Sequence, residues 1–168
     1  MDRRRLVLFG LAFVFSFAPV IAHARRGRVR IGGRGLDGKG GYGQGVLTPD
    51  QLSACLRSEA EINQMADMID EREVLLGQKQ IELKKLGDEL DRIRSRLDTT
   101  SQRAVGDYNR KVEQHRRMTA DFNKSIPEHN NRVDRLNTHS ASFNTNCAGK
   151  NYYDSDMKEV RNKLNLGG

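Results

Sequence analysis

Two cysteines, four histidines and a run of arginines set among glycines are the residues of this 168-residue chain whose types could do chemistry. Cys55 and Cys147 stand far apart in sequence, and no Cys-x-x-Cys arrangement marks a redox pair. In an exported protein, two lone cysteines predict one structural disulfide; the alternatives are an intermolecular bridge and a redox couple. His115 and His129 are two heptads apart, about 21 Å along a helix, too far to share a metal ion. His139 has no matched set of ligands around it. Carboxylates such as Asp88 and Glu113 stand four residues before Arg92 and Arg117, the spacing of solvated ion pairs on a helix surface. No phosphate-binding loop, nucleophile motif or zinc spacing is present, so no enzyme, cofactor or metal is expected.

The elements that must position these residues are written in heptads. One column reads Cys55, Ile62, Ile69, Leu76, Leu83, Leu90, Leu97, and its companion reads Met65, Arg72, Lys79, Leu86, Ile93. A second array reads Tyr108, His115, Phe122, His129, Leu136, Phe143, with Val105, Val112, Thr119, Ile126, Val133, Ser140 and Cys147 beside it. Semi-apolar columns at this spacing are the seam of helices that lie against one another. Thr48-Pro49-Asp50-Gln51 is a helix start, with threonine as cap, proline tolerated in the first turn and aspartate at the positive end. Asp98-Thr99-Thr100-Ser101 interrupts both arrays with turn-forming residues. A reversal there sets side by side residues whose numbers total about 202, and Cys55 and Cys147 meet that condition.

The expected fold is therefore all-α: an elongated antiparallel coiled-coil helical hairpin over residues 48–147, with its turn near 98–106, closed by one disulfide. The same register sets Arg72 against Asn130 and Lys79 against Asn123. Asparagines follow five of the six residues of the second seam column, at Asn109, Asn123, Asn130, Asn137 and Asn144. This column is expected either to fix the register of the hairpin or to face a partner protein. Pro127 is expected to kink the second helix without ending it. Residues 148–168 leave the pattern; Gly149 reads as a helix stop, and a short helix is expected from Asp156 to near Leu166.

Upstream, Arg3, Arg4 and Arg5 precede an apolar run from Leu6 to Val20 and the small-x-small site Ala22-His23-Ala24. Together they read as a secretory signal peptide, residues 1–24, cleaved near Ala24. Leu52-Ser53-Ala54-Cys55 resembles a lipoprotein acylation site but stands far from the apolar run, and the cysteine belongs to the helix. Residues 25–47 hold nine of the sixteen glycines with Arg25, Arg26, Arg28, Arg30, Arg34 and Lys39. This reads as a disordered, flexible basic linker, or as an arm for anionic envelope surfaces. It carries most of the formal net charge of +7; the helical body is near neutral.

These features place the chain in the periplasm or outside the cell. They predict a non-enzymatic structural or protein-interaction module of the bacterial cell envelope, with an unidentified protein partner, a possible homo-oligomer and no specific nucleic acid. In size, charge and arm length the chain also resembles periplasmic holdase chaperones, which grip unfolded membrane proteins between helical arms. It lacks the strand-rich segment through which such chaperones trimerise. The second alternative is a binder of envelope polyanions through residues 25–47.

Overall fold

The structure is a computed structural model that describes residues 28–38 and 40–165. The leader, Arg25, Arg26 and Lys39 lie outside the described residues. In chain order the elements are β1 (Gly35–Leu36), α1 (Pro49–Ser95), α2 (Gln102–Asn146), β2 (Tyr152–Tyr153) and α3 (Asp154–Lys163). Most of the described chain is helical, and the two long helices pack against each other.

α1 begins as its sequence dictates. The Thr48 hydroxyl accepts from the Gln51 amide, and the Gln51 side chain accepts in return from the Thr48 amide. Two donors of the first turn are thus satisfied reciprocally, with Pro49 just inside. At 47 residues the helix is about 70 Å long. Six members of its aliphatic column, Cys55 through Leu90, are buried, and Leu97 beyond the helix end is half-buried. The chain reverses over Arg96 to Ser101, where the Asp98 carboxylate accepts from the amide and the hydroxyl of Thr100 at 2.9 and 2.6 Å. Ser101 then caps α2 through the Ala104 amide. The turn is tighter than expected, and Gly106 lies inside α2 rather than in the connection.

Contacts along the pair keep one register. Lys111 meets Glu89 at 2.9 Å, His129 meets Glu73 at 3.8 Å, and Cys147 is bonded to Cys55, so the helices run in opposite directions. On α2, Phe122, His129, Val133, Leu136 and Phe143 are buried, and so is Cys147 just past its end. α2 continues through Pro127 as one helix, as expected. The core is uneven along this length. The half nearer the chain ends has a large cluster that includes Leu52, Leu56, Ile62, Ile69, Val133 and Phe143, whereas the distal half has a smaller cluster of Leu76, Leu83 and Phe122, with Leu90 buried apart from it.

Two expectations are corrected. Residues 28–38 and 40–47 are not a disordered linker; they fold against α1 and the C-terminal segment. Val29 and Asn63 exchange a donor and an acceptor, the Ile31 amide donates to Glu59, and β1 pairs in parallel with β2. Leu47 and Ile31 are buried in the main cluster. The physical reason is that Gly33, Gly35 and Gly40 serve close approach rather than flexibility. A Cβ on Gly33 would overlap the Lys150 carbonyl, and one on Gly35 would overlap the Asp154 carboxylate. The second correction concerns the C-terminal helix. Gly149, at φ +70°, stops α2 as expected, but α3 starts at Asp154, two residues early, directly after the paired strand.

Candidate interaction surfaces

The end of the molecule that carries the disulfide is built from four pieces of chain. Cys55 and Cys147 have their Cα atoms 5.6 Å apart and both sulfurs are buried. Over them, Tyr153 is buried while Tyr152 is half-buried. The Tyr42 hydroxyl donates to Asp156 at 2.8 Å and its ring meets Tyr153 edge-on at 5.7 Å. The Asp156 carboxylate beside it raises the Tyr42 phenol above its ordinary value, mainly through that hydrogen bond. The aromatic pair is therefore part of the packing that joins the arm to α3. Beside the disulfide lies a groove of about 380 Å³ lined by Gln51, Ser58, Ser142, Phe143 and Asn146. It is shallow, and it gathers no acid–base pair or nucleophile.

The arginines expected to seek anions divide. Arg28 pairs with Asp67 at 3.1 Å on the surface. The Arg34 amide donates to the Asn151 side chain, while its carbonyl accepts from the Tyr152 amide. Arg30 is exposed. The segment Arg28-Val29-Arg30-Ile31 alternates strictly, with arginines outward, Val29 half-buried and Ile31 buried. That period of two was the sequence signal for a docked, extended arm, and the glycine content around it concealed the signal.

The asparagine column does not occupy the seam. Asn109, Asn123, Asn137 and Asn144 are exposed, and only Asn130 is half-buried. One residue past a seam position is a 100° rotation round the helix, which carries these side chains to the flank. Lys79, expected opposite Asn123, is also exposed, so this pair does not set the register. Of the histidines, His115 is half-buried in the seam, His139 is exposed, and His129 is fully buried. Among the described residues neither ring nitrogen of His129 has a hydrogen-bond partner, and Glu73 Oε1 lies 3.8 Å from its Nε2.

The outer surface of α1 holds the feature that sequence columns missed. Met68, Val74, Leu75 and Ile81 fall within fourteen residues, and each is about half exposed or more; Val74 reaches 61% and Ile81 57%. They lie off the seam columns, so a search tuned to one apolar face passes over them. α1 is also acidic, with eleven Asp and Glu against seven Lys and Arg. Surface ion pairs follow helix spacing: Lys84 with Asp88 and Arg117 with Glu113. Among the described residues no cluster of His, Cys, Asp and Glu could hold a metal ion, and no helix is long and apolar enough to cross a membrane.

Comparison with protein-family models, with curated proteins and with solved structures found no match to this chain.

Proposed function

We propose that this chain is an exported, non-enzymatic protein-interaction module of the bacterial cell envelope, an elongated coiled-coil hairpin whose long first helix presents a binding surface. The exposed apolar residues Met68, Val74, Leu75 and Ile81 of α1 carry this reading. At 100° per residue Met68 and Leu75 share one exposed side of α1 and Val74 and Ile81 another about 120° away, so each side offers a pair of large apolar side chains to another molecule. The disulfide supports export, since such bonds persist in oxidising compartments. It also holds these residues on a clamped scaffold, which lowers the ordering cost of binding.

The test is the native mass of the oxidised chain by light scattering, followed by chemical cross-linking in the envelope with a chain carrying Ile81→Asp beside the unaltered one. A defined cross-linked partner that is lost with the substitution supports the reading. A chain that is oligomeric and suppresses aggregation of unfolded membrane proteins would replace it with the holdase reading. Retention on anionic matrices that salt abolishes would favour the polyanion reading, which the Arg28–Asp67 pair weakens by engaging one of the arm's arginines internally.

A further inference from the structure

The seam between α1 and α2 has two edges, and they differ. The arm runs along one of them, where Ile31, Val29 and Arg28 meet Glu59, Asn63 and Asp67 in turn. The opposite edge is fixed by contacts at both of its ends. Near the disulfide, Ala54 and Ser58 of α1 line one shallow groove with Asn146 and Ser142 of α2. Near the turn, Glu89 meets Lys111 at 2.9 Å. In Ala54 with Asn146, Ser58 with Ser142 and Glu89 with Lys111 the two numbers total 200, so one register holds along the whole edge. On α1 this row stands one residue before each member of the buried column, as Ala54 before Cys55 and Glu89 before Leu90. Asn63, on the arm's side, stands one residue after Ile62, and a 100° step each way separates the two sides. Between its ends the register sets Glu61 level with His139, Met68 with Arg132, Leu75 with Ser125 and Glu82 with Met118. The middle of the edge is apolar. Met68 and Leu75 are 45% and 51% exposed, and Met118 is half-buried against the cluster of Leu76, Leu83 and Phe122. Ser125 is buried, its hydroxyl donating back to the Asp121 and Phe122 carbonyls of its own helix.

We propose that this edge pairs with the same edge of a second copy of the chain, the two hairpins lying parallel as a four-helix bundle. This pairing deepens the interaction reading above and rests on it. Charge chooses the arrangement. A two-fold axis along the helices lays α1 of one copy over α2 of the other at the same level. Glu89 then faces Lys111 of the second copy, Glu61 faces His139, and Leu75 faces Ser125, a small residue that leaves room for it. An axis across the helices at Leu75 would instead set Glu61 of each copy against Glu89 of the other, a repulsion at both ends. The area is sufficient. From Ala54 to Glu89 the edge is about 50 Å long, and two helices make it about 20 Å wide, so each copy covers about 1,000 Å². A stable interface needs about 800 Å² per partner. Met68 and Leu75 of both copies lose the water that now covers them. Val74 and Ile81, about 120° away, stay outside this interface and remain for an envelope partner.

The experiment measures the native mass of the disulfide-bonded exported chain by sedimentation over a series of protein concentrations. A monomer–dimer equilibrium is expected, its dissociation constant raised about tenfold or more by Leu75→Asp or Met68→Asp. Val74→Asp, one residue along and on another side of α1, should leave it unchanged. All three positions are exposed, so these variants should fold normally, which circular dichroism checks. Orientation is read with a short bismaleimide. A tagged chain carrying Glu61→Cys should cross-link to an untagged chain carrying His139→Cys, and should not cross-link to one carrying Glu89→Cys. A chain that stays monomeric, an assembly of three or more copies, equal effects of Leu75→Asp and Val74→Asp, or cross-linking through Glu89→Cys in place of His139→Cys overturns the pairing. A monomer that still cross-links to a defined envelope partner overturns the pairing alone, and the interaction reading stands. A dimer lost with Leu75→Asp, from a chain that cross-links to no other envelope protein, supports the pairing while the envelope reading fails.

Discussion

Reducing the Cys55–Cys147 bond should cost this protein a large part of its stability. The bond links residues 92 apart in sequence, and in the chain-entropy model that cross-link withholds about 4.5 kcal/mol of freedom from the unfolded chain. A single domain commonly has only about 5–15 kcal/mol in all. The assay is urea unfolding followed by helical circular dichroism, for the oxidised protein, for the protein in reductant and for the variant Cys55→Ala, Cys147→Ala. With a denaturant slope of about 2 kcal/mol per molar urea, the midpoint should fall by about 2 M in reductant. The alanine variant should fall further, since both cysteines are buried beside Leu52 and Phe143 and their removal leaves small voids. Release of the cross-link also expands the unfolded chain, so the slope itself should rise. A midpoint that moves by less than about 0.5 M on reduction would refute the argument. It would mean that the unfolded chain keeps the two helices associated, or that the packing of arm, α2 and α3 already closes this end.

Three further outcomes follow from single sites. Replacing His129 by alanine should lower stability by about 2–4 kcal/mol, because the fully buried ring leaves a cavity in the seam between α1 and α2; a change below about 0.5 kcal/mol would count against that packing. Ile31→Ala should destabilise by about 2–4 kcal/mol and speed protease cleavage between Arg28 and Arg34, whereas a freely mobile arm would show no change in either. The Asp98 carboxyl is held below its ordinary value, first by the Thr100 hydroxyl and then by the Thr100 amide. A lowered folded value means that its contribution is present above the unfolded value near 3.8 and is lost as pH falls through the lower folded one. Asp98→Asn should therefore flatten the acid limb of stability below about pH 4, and an acid limb identical to that of the unaltered chain would exclude the turn as its source.

Much of the helical architecture was legible because its determinants are local and repetitive. The aliphatic column from Cys55 to Leu90 repeats without a break, and the Thr48 and Asp98–Ser101 segments carry their own capping and turn chemistry. Once those were placed, the disulfide followed from register alone. The arm was illegible for the opposite reason. Its order rests on contacts with residues 28 to 117 positions away, such as Ile31 with Glu59 and Arg34 with Asn151. Composition reports none of these, and a glycine that permits flexibility looks the same as one that permits close approach. The asparagine column was legible only in part, because a repeat of seven fixes that residues share a face but not which face. Its offset of one from the Phe122 and His129 column places it on the flank, and four of its five members are exposed there.

The distribution of packing along the pair bears on how the surface of α1 works. The end with the disulfide carries the arm, α3 and the larger apolar cluster, while the distal half relies on Leu76, Leu83 and Phe122 with Met118 and Ile126 half-buried beside them. Stability is therefore graded, high at the clamped end and lower toward the turn. The exposed apolar residues span the boundary: Met68 lies next to Ile69 of the large cluster, and Ile81 lies near Leu83 of the small one. A partner bound along Val74 and Ile81 adds apolar contact where the core is thinnest, so binding should slow amide exchange in the distal halves of α1 and α2 more than near Cys55. Protection greatest near Cys55 would instead place the partner at the clamped end, over the arm.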